Sequence, residues 1–335
     1  MRIHLVGVAP SPMRRLAMLL RGVGHAVSGS SGPDGPDTPP LLAELEGAGV
    51  AVHGAWNAAI VTHELDLVVV GRGIDDDNPE ARRARELGLV RAGLSATLRA
   101  HFLAGRRPLV VVGGEGRTTI AAMCAWILET AGLEPGFFVG GAPRNLPSGA
   151  RAASTRRKIV GAAARPAPFV VEADLDDTVY WAEGAEAFDY VSPPGGAGDD
   201  VLVLTDIDGL RPDEERLASL VAMVPDAGLL VFDAEDPRAS AIVTASARAR
   251  TTHHALAHEV GTGLTPTWLG LPLPVDPTSG ARPFDLFAGG SFAGRFALRN
   301  TDEAEVRWAV AAIAACAEGF GVHVEKARQA LATFE

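Results

Sequence analysis

The sequence predicts an α/β protein built on two parallel-rich sheets, on three observations. Short apolar runs alternate with amphipathic helical stretches along most of the chain, the order that winds a parallel sheet. Twice, at residues 1–22 and 107–132, an apolar run enters a glycine-containing turn and then a helix. Several apolar runs of the second half finish on Asp, Glu or Gly, as central strands do when their carboxyl ends face a ligand.

The elements follow in order. "RIHLVGVA" reads as a first strand, and "MRRLAMLLRG" as a helix stopped at Gly22. "HAVSGSS" is a second short strand. "PPLLAELEGAG" is a helix with prolines near its first turn and glycine at its close. "LDLVVVG" is a buried strand, followed by the amphipathic helix "NPEARRARELG" and one more helix, "LSATLRAHFLAG". Residues 1–106 therefore read as a Rossmann-like domain. Residues 107–335 open a second one with the strand "RRPLVVVGG" and a long helix to Gly132. The runs "PGFFVGG", "APFVVEAD", "DDVLVLTDID" and "AGLLVFDAEDP" supply further strands, with the helix "PDEERLASLVAMV" among them. "PFDLFAGGSFAGRFALR" alternates around Gly289-Gly290 as a β-hairpin does, and two helices, "EAEVRWAVAAIAACAEG" and "VEKARQALATF", complete the chain. Residues 142–168 and 192–200, rich in Gly, Ala and Pro, read as loops that are mobile or face a substrate.

Composition excludes several classes. With 335 residues the chain is long enough for two domains and a sizeable core. Its 41 acidic against 30 basic residues give a net charge of −11, unsuited to a general nucleic-acid binder. The one basic run, residues 151–166, reads as a solvated loop. Cys124 and Cys316 each fall in an apolar helical pattern, as buried thiols do, with neither metal nor disulfide spacing. His253, His254 and His258 come with no paired carboxylate or HExxH spacing, which argues against a metal site. The start "MRIHLVGVAP" is a strand rather than a signal peptide, and no uncharged run is long enough to span a membrane, so a cytoplasmic protein is expected.

The stretch "VVVGGEGRTTIAAM" carries the chemistry. Strand, glycine turn and helix are the layout in which a P-loop cradles nucleotide phosphates. Yet Arg117 stands at the lysine position, and Glu115 brings negative charge to a place where phosphate oxygens would sit. Thr118 and Thr119 keep the hydroxyls that a P-loop offers to Mg²⁺.

In order along the chain, "IHLVGVAPSPMRRLAMLLRGVGHAVSGSS", "LVVVGRGIDDDNPEARRARELGL", "GGEGRTTIAAMCAWILETAGLEPGFFVGGAPRN", "FVVEADLDDTVYW" and "LVLTDIDGLRPDEERLASLVAMVP" resemble the corresponding segments of the Mur ligases. These are ATP-dependent enzymes that join amino acids or peptides to UDP-N-acetylmuramate. Within the family the likeness is strongest to the murein tripeptide ligases of cell-wall recycling, then to the alanine-adding ligases. The resemblance implies a first domain that holds the UDP-sugar, with Gly7, Ser11, Ser28, Ser30, Gly71, Arg72 and Gly73 at its site. It implies a central ATPase-like domain whose nucleotide site comprises Gly113, Gly114, Glu115, Gly116, Arg117, Thr118 and Thr119. Thr118 and Glu172 correspond to its Mg²⁺ ligands. A third domain, which in the family selects the incoming amino acid or peptide, is expected to be missing. In the family a substrate carboxylate is phosphorylated and an amine then displaces the phosphate, chemistry that needs neutralised phosphates and a dry site.

Against that pattern the departures cluster at the ligand groups. Besides Arg117 and Glu115, the family's Asp-His pair becomes Leu210-Arg211, and its asparagine pair near the adenine becomes Thr205-Asp206. Ala304, Glu305 and Trp308 replace a His and two Asn. Pro10 and Pro12 remove backbone donors from the first glycine loop, where Arg72 can compensate. The expectation is a degenerate family member that binds, scaffolds or regulates. Two alternatives stay open: an active ligase using ATP and Mg²⁺, or Mg-nucleotide binding without ligation. The expected partners are a UDP-N-acetylmuramate-type ligand and either a catalytic Mur ligase or a second copy.

Overall fold

The computed structural model describes residues 1–32, 38–141, 143–146, 148–155, 158–160, 163–173, 186–192, 198–207, 214–257, 265–299 and 302–335. They fall into two compact units, the first covering Met1–Phe102 and the second running from Leu103 to Glu335.

The first unit contains β1 (Arg2–Val6), α1 (Ser11–Gly22), β2 (Ala26–Ser30), α2 (Thr38–Gly47), β3 (Ala51–His53), β4 (Leu67–Val70), α3 (Pro79–Glu86), β5 (Arg91–Ala92) and α4 (Leu94–Leu98). Its sheet is entirely parallel, in the order β3-β2-β1-β4-β5. That order reverses between β1 and β4, and the loops after these two strands open at the switch point where such sheets bind ligands. β4 is buried along its whole length, as expected of a strand covered on both faces. α1 turns Met13, Leu16, Ala17, Leu19 and Leu20 inward at helical spacing. α3 begins where Asn78 caps the backbone N–H groups of Glu80 and Ala81 and Pro79 occupies the first turn. "LSATLRAHFLAG" is not one regular helix: α4 ends at Leu98 and a π-helical turn follows over Arg99–Leu103. Within it Thr97 Oγ1 donates to the Gly93 carbonyl (2.7 Å), a bond that competes with the helical ladder.

The second unit contains β6 (Arg107–Gly113), α5 (Arg117–Thr130), β7 (Gly136–Phe138), β8 (Ala150–Arg151), β9 (Lys158–Val160), β10 (Ala163–Arg165), β11 (Pro168–Ala173), α6 (Glu186–Tyr190), β12 (Val201–Thr205), α7 (Glu214–Met223), β13 (Leu229–Asp233), α8 (Pro237–Ser246), β14 (Arg250–Leu256), β15 (Trp268–Pro272), β16 (Arg282–Ala288), β17 (Ser291–Leu298), α9 (Glu303–Phe320) and α10 (Val324–Leu331). Ten strands form one sheet, β17-β16-β15-β14-β13-β12-β6-β11-β7-β8. It is parallel from β15 to β7 and antiparallel at both edges. Alternate residues of its middle (Leu109, Val111, Val201, Val203, Leu229, Val231) pack into one core with α5, α9 and α10. Cys124 and Cys316 lie fully buried where α5 meets α9, and burial pushes the Cys316 thiol up. Among the described residues no helix is long and apolar enough to cross a membrane.

Two expectations need correction. Residues 142–168 are not simply a loop: β8 pairs with β7, and β9 and β10 form a two-stranded antiparallel ribbon. Nor is the basic run simply solvated. Arg151 bonds the Glu129 carboxylate and lies over the Phe137 ring, while Arg165 joins buried Arg107 in pairing with Asp199. Residues 237–272 also hold α8, β14 and β15, which periodicity does not reveal. Thr252 and His254 of "RTTHHAL" are buried under α9, where Thr252 Oγ1 donates to Glu318 (2.7 Å).

Candidate functional site

In the first unit, the β1 and β4 ends lie side by side, Val6 opposite Val70. The turn leaving β1 is held by its own sheet: Gly7 and Val8 N–H both donate to the Ser30 carbonyl (3.0 and 2.9 Å). Gly71 N–H donates to the Val6 carbonyl (2.8 Å), so Gly7, Ser30 and Gly71 converge at the switch point. Ser11 opens α1 behind Pro10 with no side-chain cap, while Arg72 and Gly73 are exposed in the loop after β4. Ser28 and Ser30 are engaged below. Ser28 Oγ bonds His4 Nδ1 (2.8 Å), and Ser30 Oγ donates to Glu80 Oε2. Glu80, fully buried, also meets His4 Nε2 (3.2 Å) and accepts from the Asn57 N–H (2.8 Å). Burial alone would raise its pKa, but the hydrogen bonds from His4, Asn57 and Ser30 win and hold the carboxyl below its ordinary value.

In the second unit, β6 is buried throughout and delivers the glycine turn between β12 and β11. Gly113 (φ +153°) and Gly116 (φ +78°) take backbone angles that other residues rarely adopt. A Cβ at Gly113 would overlap the Thr205 carbonyl, and one at Gly116 would overlap the Trp308 indole. Gly116 then caps α5, whose first turn carries Arg117, Thr118 and Thr119. The Arg117 guanidinium turns back and donates to the carbonyls of Gly113 (3.2 Å) and Ala173 (3.3 Å). Glu115 N–H donates to Asp206 Oδ2 (2.8 Å), and Thr205 Oγ1 donates to the Glu115 carbonyl (3.3 Å).

Beside this turn opens a cavity of about 420 Å³, lined by Glu115, Thr205, Asp206, Asp233, Glu235, Asp236, Ala304, Arg307 and Trp308. Five carboxylates face one guanidinium there, and that guanidinium is ion-paired with Asp233. Part of this acidity has local structural work: Asp236 caps α8 by accepting from Arg238 and Ala239 N–H, and Asp233 Oδ1 accepts from Glu235 N–H. Next to Asp233 on β14 sits His254, whose two ring nitrogens are buried without a hydrogen-bond partner among the described residues. Burial pulls its pKa down to about 4, only partly offset by Asp233. His253 Nδ1 accepts from Thr267 N–H (3.0 Å), while His258 and the Leu210-Arg211 pair lie outside the described residues. On the other side of β6, Thr118 and Glu172 approach one turn. A Cβ at Gly140 would overlap Glu172 Oε1, and one at Gly141 would touch Thr118 at 3.6 Å. Glu172 Oε2 is buried with no hydrogen-bond partner among the described residues.

No protein-family profile matches the chain. It is 29% identical over 244 residues to the UDP-N-acetylmuramate–L-alanyl-γ-D-glutamyl-meso-2,6-diaminoheptandioate ligase of Escherichia coli strain K12, covering 70% of this chain and 49% of that one. It is 32% identical over 250 residues to the UDP-N-acetylmuramate–L-alanine ligase of Nocardioides sp., covering 72% and 49%. The crystal structure of the UDP-N-acetylmuramate:L-alanyl-γ-D-glutamyl-meso-diaminopimelate ligase from Neisseria meningitides superposes with a TM-score of 0.81 at 28% identity, over 100% of this chain and 98% of that one. In sequence and in fold the chain resembles the Mur ligases. It spans about half the length of the curated relatives it matches.

Seen against the Mur ligase pattern, the described residues keep the turn that a nucleotide site needs and change what surrounds it. Arg117, Glu115, Asp206, Ala304 and Trp308, read in the sequence as departures, lie together at the turn and its cavity. Four more residues of the cavity, Asp233, Glu235, Asp236 and Arg307, match no motif in the sequence. The signal for the first three is the acidic end of the strand "AGLLVFDAEDP"; Arg307 depends on how α9 packs.

Proposed function

We propose that this protein is a non-catalytic Mur-ligase-like protein of peptidoglycan metabolism, acting in the cytoplasm as a binding, scaffolding or regulatory partner. In this reading residues 1–106 take a UDP-N-acetylmuramate-type ligand and residues 107–335 keep an ATPase-like fold without its reaction. The observation that carries it is the acidic cavity beside the glycine turn. A triphosphate needs converging cations and free backbone N–H groups. Here the cavity presents five carboxylates, and the Arg117 guanidinium is turned back onto two backbone carbonyls. The residues present do not fit ATP, and no phosphoryl transfer is assigned to them. In the first unit, Gly7, Ser11, Gly71, Arg72 and Gly73 at the switch point support a UDP-sugar site, whereas Ser28 and Ser30 act from beneath it by holding His4 and Glu80.

One observation favours a second reading, in which a Mg-nucleotide binds without ligation. The buried, unpartnered Glu172 Oε2 near Thr118 is a donor set that suits a divalent cation, and the pair would hold Mg²⁺ brought by a phosphate chain. Calorimetry with Mg-ATP and, separately, with UDP-N-acetylmuramate decides between them. The proposed function expects no heat from Mg-ATP. Tight Mg-ATP binding lost in Thr118→Ala would replace it with the second reading, and phosphate release dependent on a muropeptide would restore an active ligase. Co-purification with a catalytic Mur ligase, or concentration-dependent dimerisation in sedimentation, tests the partner role.

A further inference from the structure

We propose that the Asp206 carboxylate is a built-in occupant of the anion seat in the β6–α5 turn, excluding phosphate groups from it. The inference rests on the non-catalytic reading and supplies its physical cause. β12 runs parallel to β6 until Thr205 stands opposite Gly113, so the next residue arrives beside Gly114. Asp206 then takes a left-handed backbone conformation (φ +42°), which Asp tolerates better than most residues. This places its two acceptors on successive N–H groups of the turn: the Asp206 carbonyl on Gly114 (3.2 Å) and Oδ2 on Glu115 (2.8 Å). Oδ2 also fills the space where a Cβ on Gly114 would stand. Successive N–H groups of a glycine turn at a helix start form a concave nest for an anionic oxygen. Here the oxygen is the protein's own. Thr205 closes the other side by donating to the Glu115 carbonyl (3.3 Å), and the Trp308 indole covers Gly116. An incoming phosphate therefore has to displace a carboxylate held by its own backbone and then remain beside that like charge.

The test compares the parent chain with Asp206→Gly and Asp206→Asn, titrated with inorganic pyrophosphate in a calorimeter, with thermal melting to verify folding. Glycine tolerates the left-handed angle and vacates the seat; asparagine keeps an acceptor but removes the charge. Asp206→Gly is expected to bind pyrophosphate about tenfold or more tightly than the parent, with Asp206→Asn between the two. A folded Asp206→Gly with unchanged affinity overturns the proposal. Should the glycine variant fail to fold, the asparagine variant decides, and an unchanged affinity there overturns it as well. Tight Mg-ATP binding by the parent would instead replace the proposed function with the nucleotide-binding reading, whatever the variants do.

Discussion

The molecule contains two strand–turn–helix units of the same local design, β1–α1 and β6–α5, and they are closed by different means. At the first turn, the Gly7 and Val8 N–H groups go to a backbone carbonyl, that of Ser30, and prolines stand at positions 10 and 12. Its sheet is anchored underneath by a buried polar network centred on Glu80. At the second turn the Gly114 N–H also goes to a backbone carbonyl, that of Asp206, but the rest of the closure comes from side chains: the Asp206 carboxylate on Glu115 N–H, the Trp308 indole on Gly116 and the returning Arg117. Backbone closure is part of the fold and survives most substitutions. Side-chain closure rests on single residues, so it can be gained or lost without disturbing the sheet.

The comparison can be broken most severely at the second turn itself. Gly113→Ala forces a Cβ onto the Thr205 carbonyl at an angle that disfavours alanine, and should cost more than about 4 kcal/mol in urea unfolding. A variant within 1 kcal/mol of the parent would mean that the turn readjusts, contrary to the tight seat described. Next comes His254. Its folded-state pKa, about 4, lies below the unfolded value of 6.5, so the unfolded chain takes up the proton first as pH falls through this window. His254→Leu should therefore gain about 3 kcal/mol relative to the parent between pH 7 and pH 4; a parent-minus-variant difference that stays constant with pH would refute this.

Glu80 sharpens the other side of the comparison. Its folded pKa is lowered, so the stability it supplies is present above the unfolded value of 4.5 and is lost as pH falls through the folded one. Glu80→Gln should destabilise the first unit by about 1–3 kcal/mol at pH 7 and flatten its acid unfolding, read by hydrogen exchange at β1 and β4. The smallest effect is expected from Trp308→Ala. This half-buried side chain covers Gly116 but does not occupy the anion seat, so stability should fall by about 1–2 kcal/mol with no gain in pyrophosphate affinity. A clear gain would shift the excluding role from Asp206 to Trp308.

Periodicity and glycine placement made the frame legible: β1, α1, β4, α3, β6, α5, β12, β13, the β16–β17 hairpin, α9 and α10 all follow from apolar spacing and helix stops. The elements it missed are those whose burial is supplied by distant partners. β14 reads as polar because Thr252 and His254 are covered by α9 rather than exposed. β8 has only two residues and exists through its pairing with β7.

The sequence by itself determined the two-unit α/β frame, the positions of both glycine turns and the chemical inventory around them, because local propensity, periodicity and charge are properties of short stretches. What those charges do was decided by the tertiary structure alone. Asp206 lies 91 residues from Glu115 along the chain, and the two meet because β12 pairs in register with β6. Trp308 reaches Gly116 only because α9 packs on α5. A substitution read as the loss of a ligand group thus proves to be a gained contact, since where a carboxylate points depends on neighbours that no local pattern encodes.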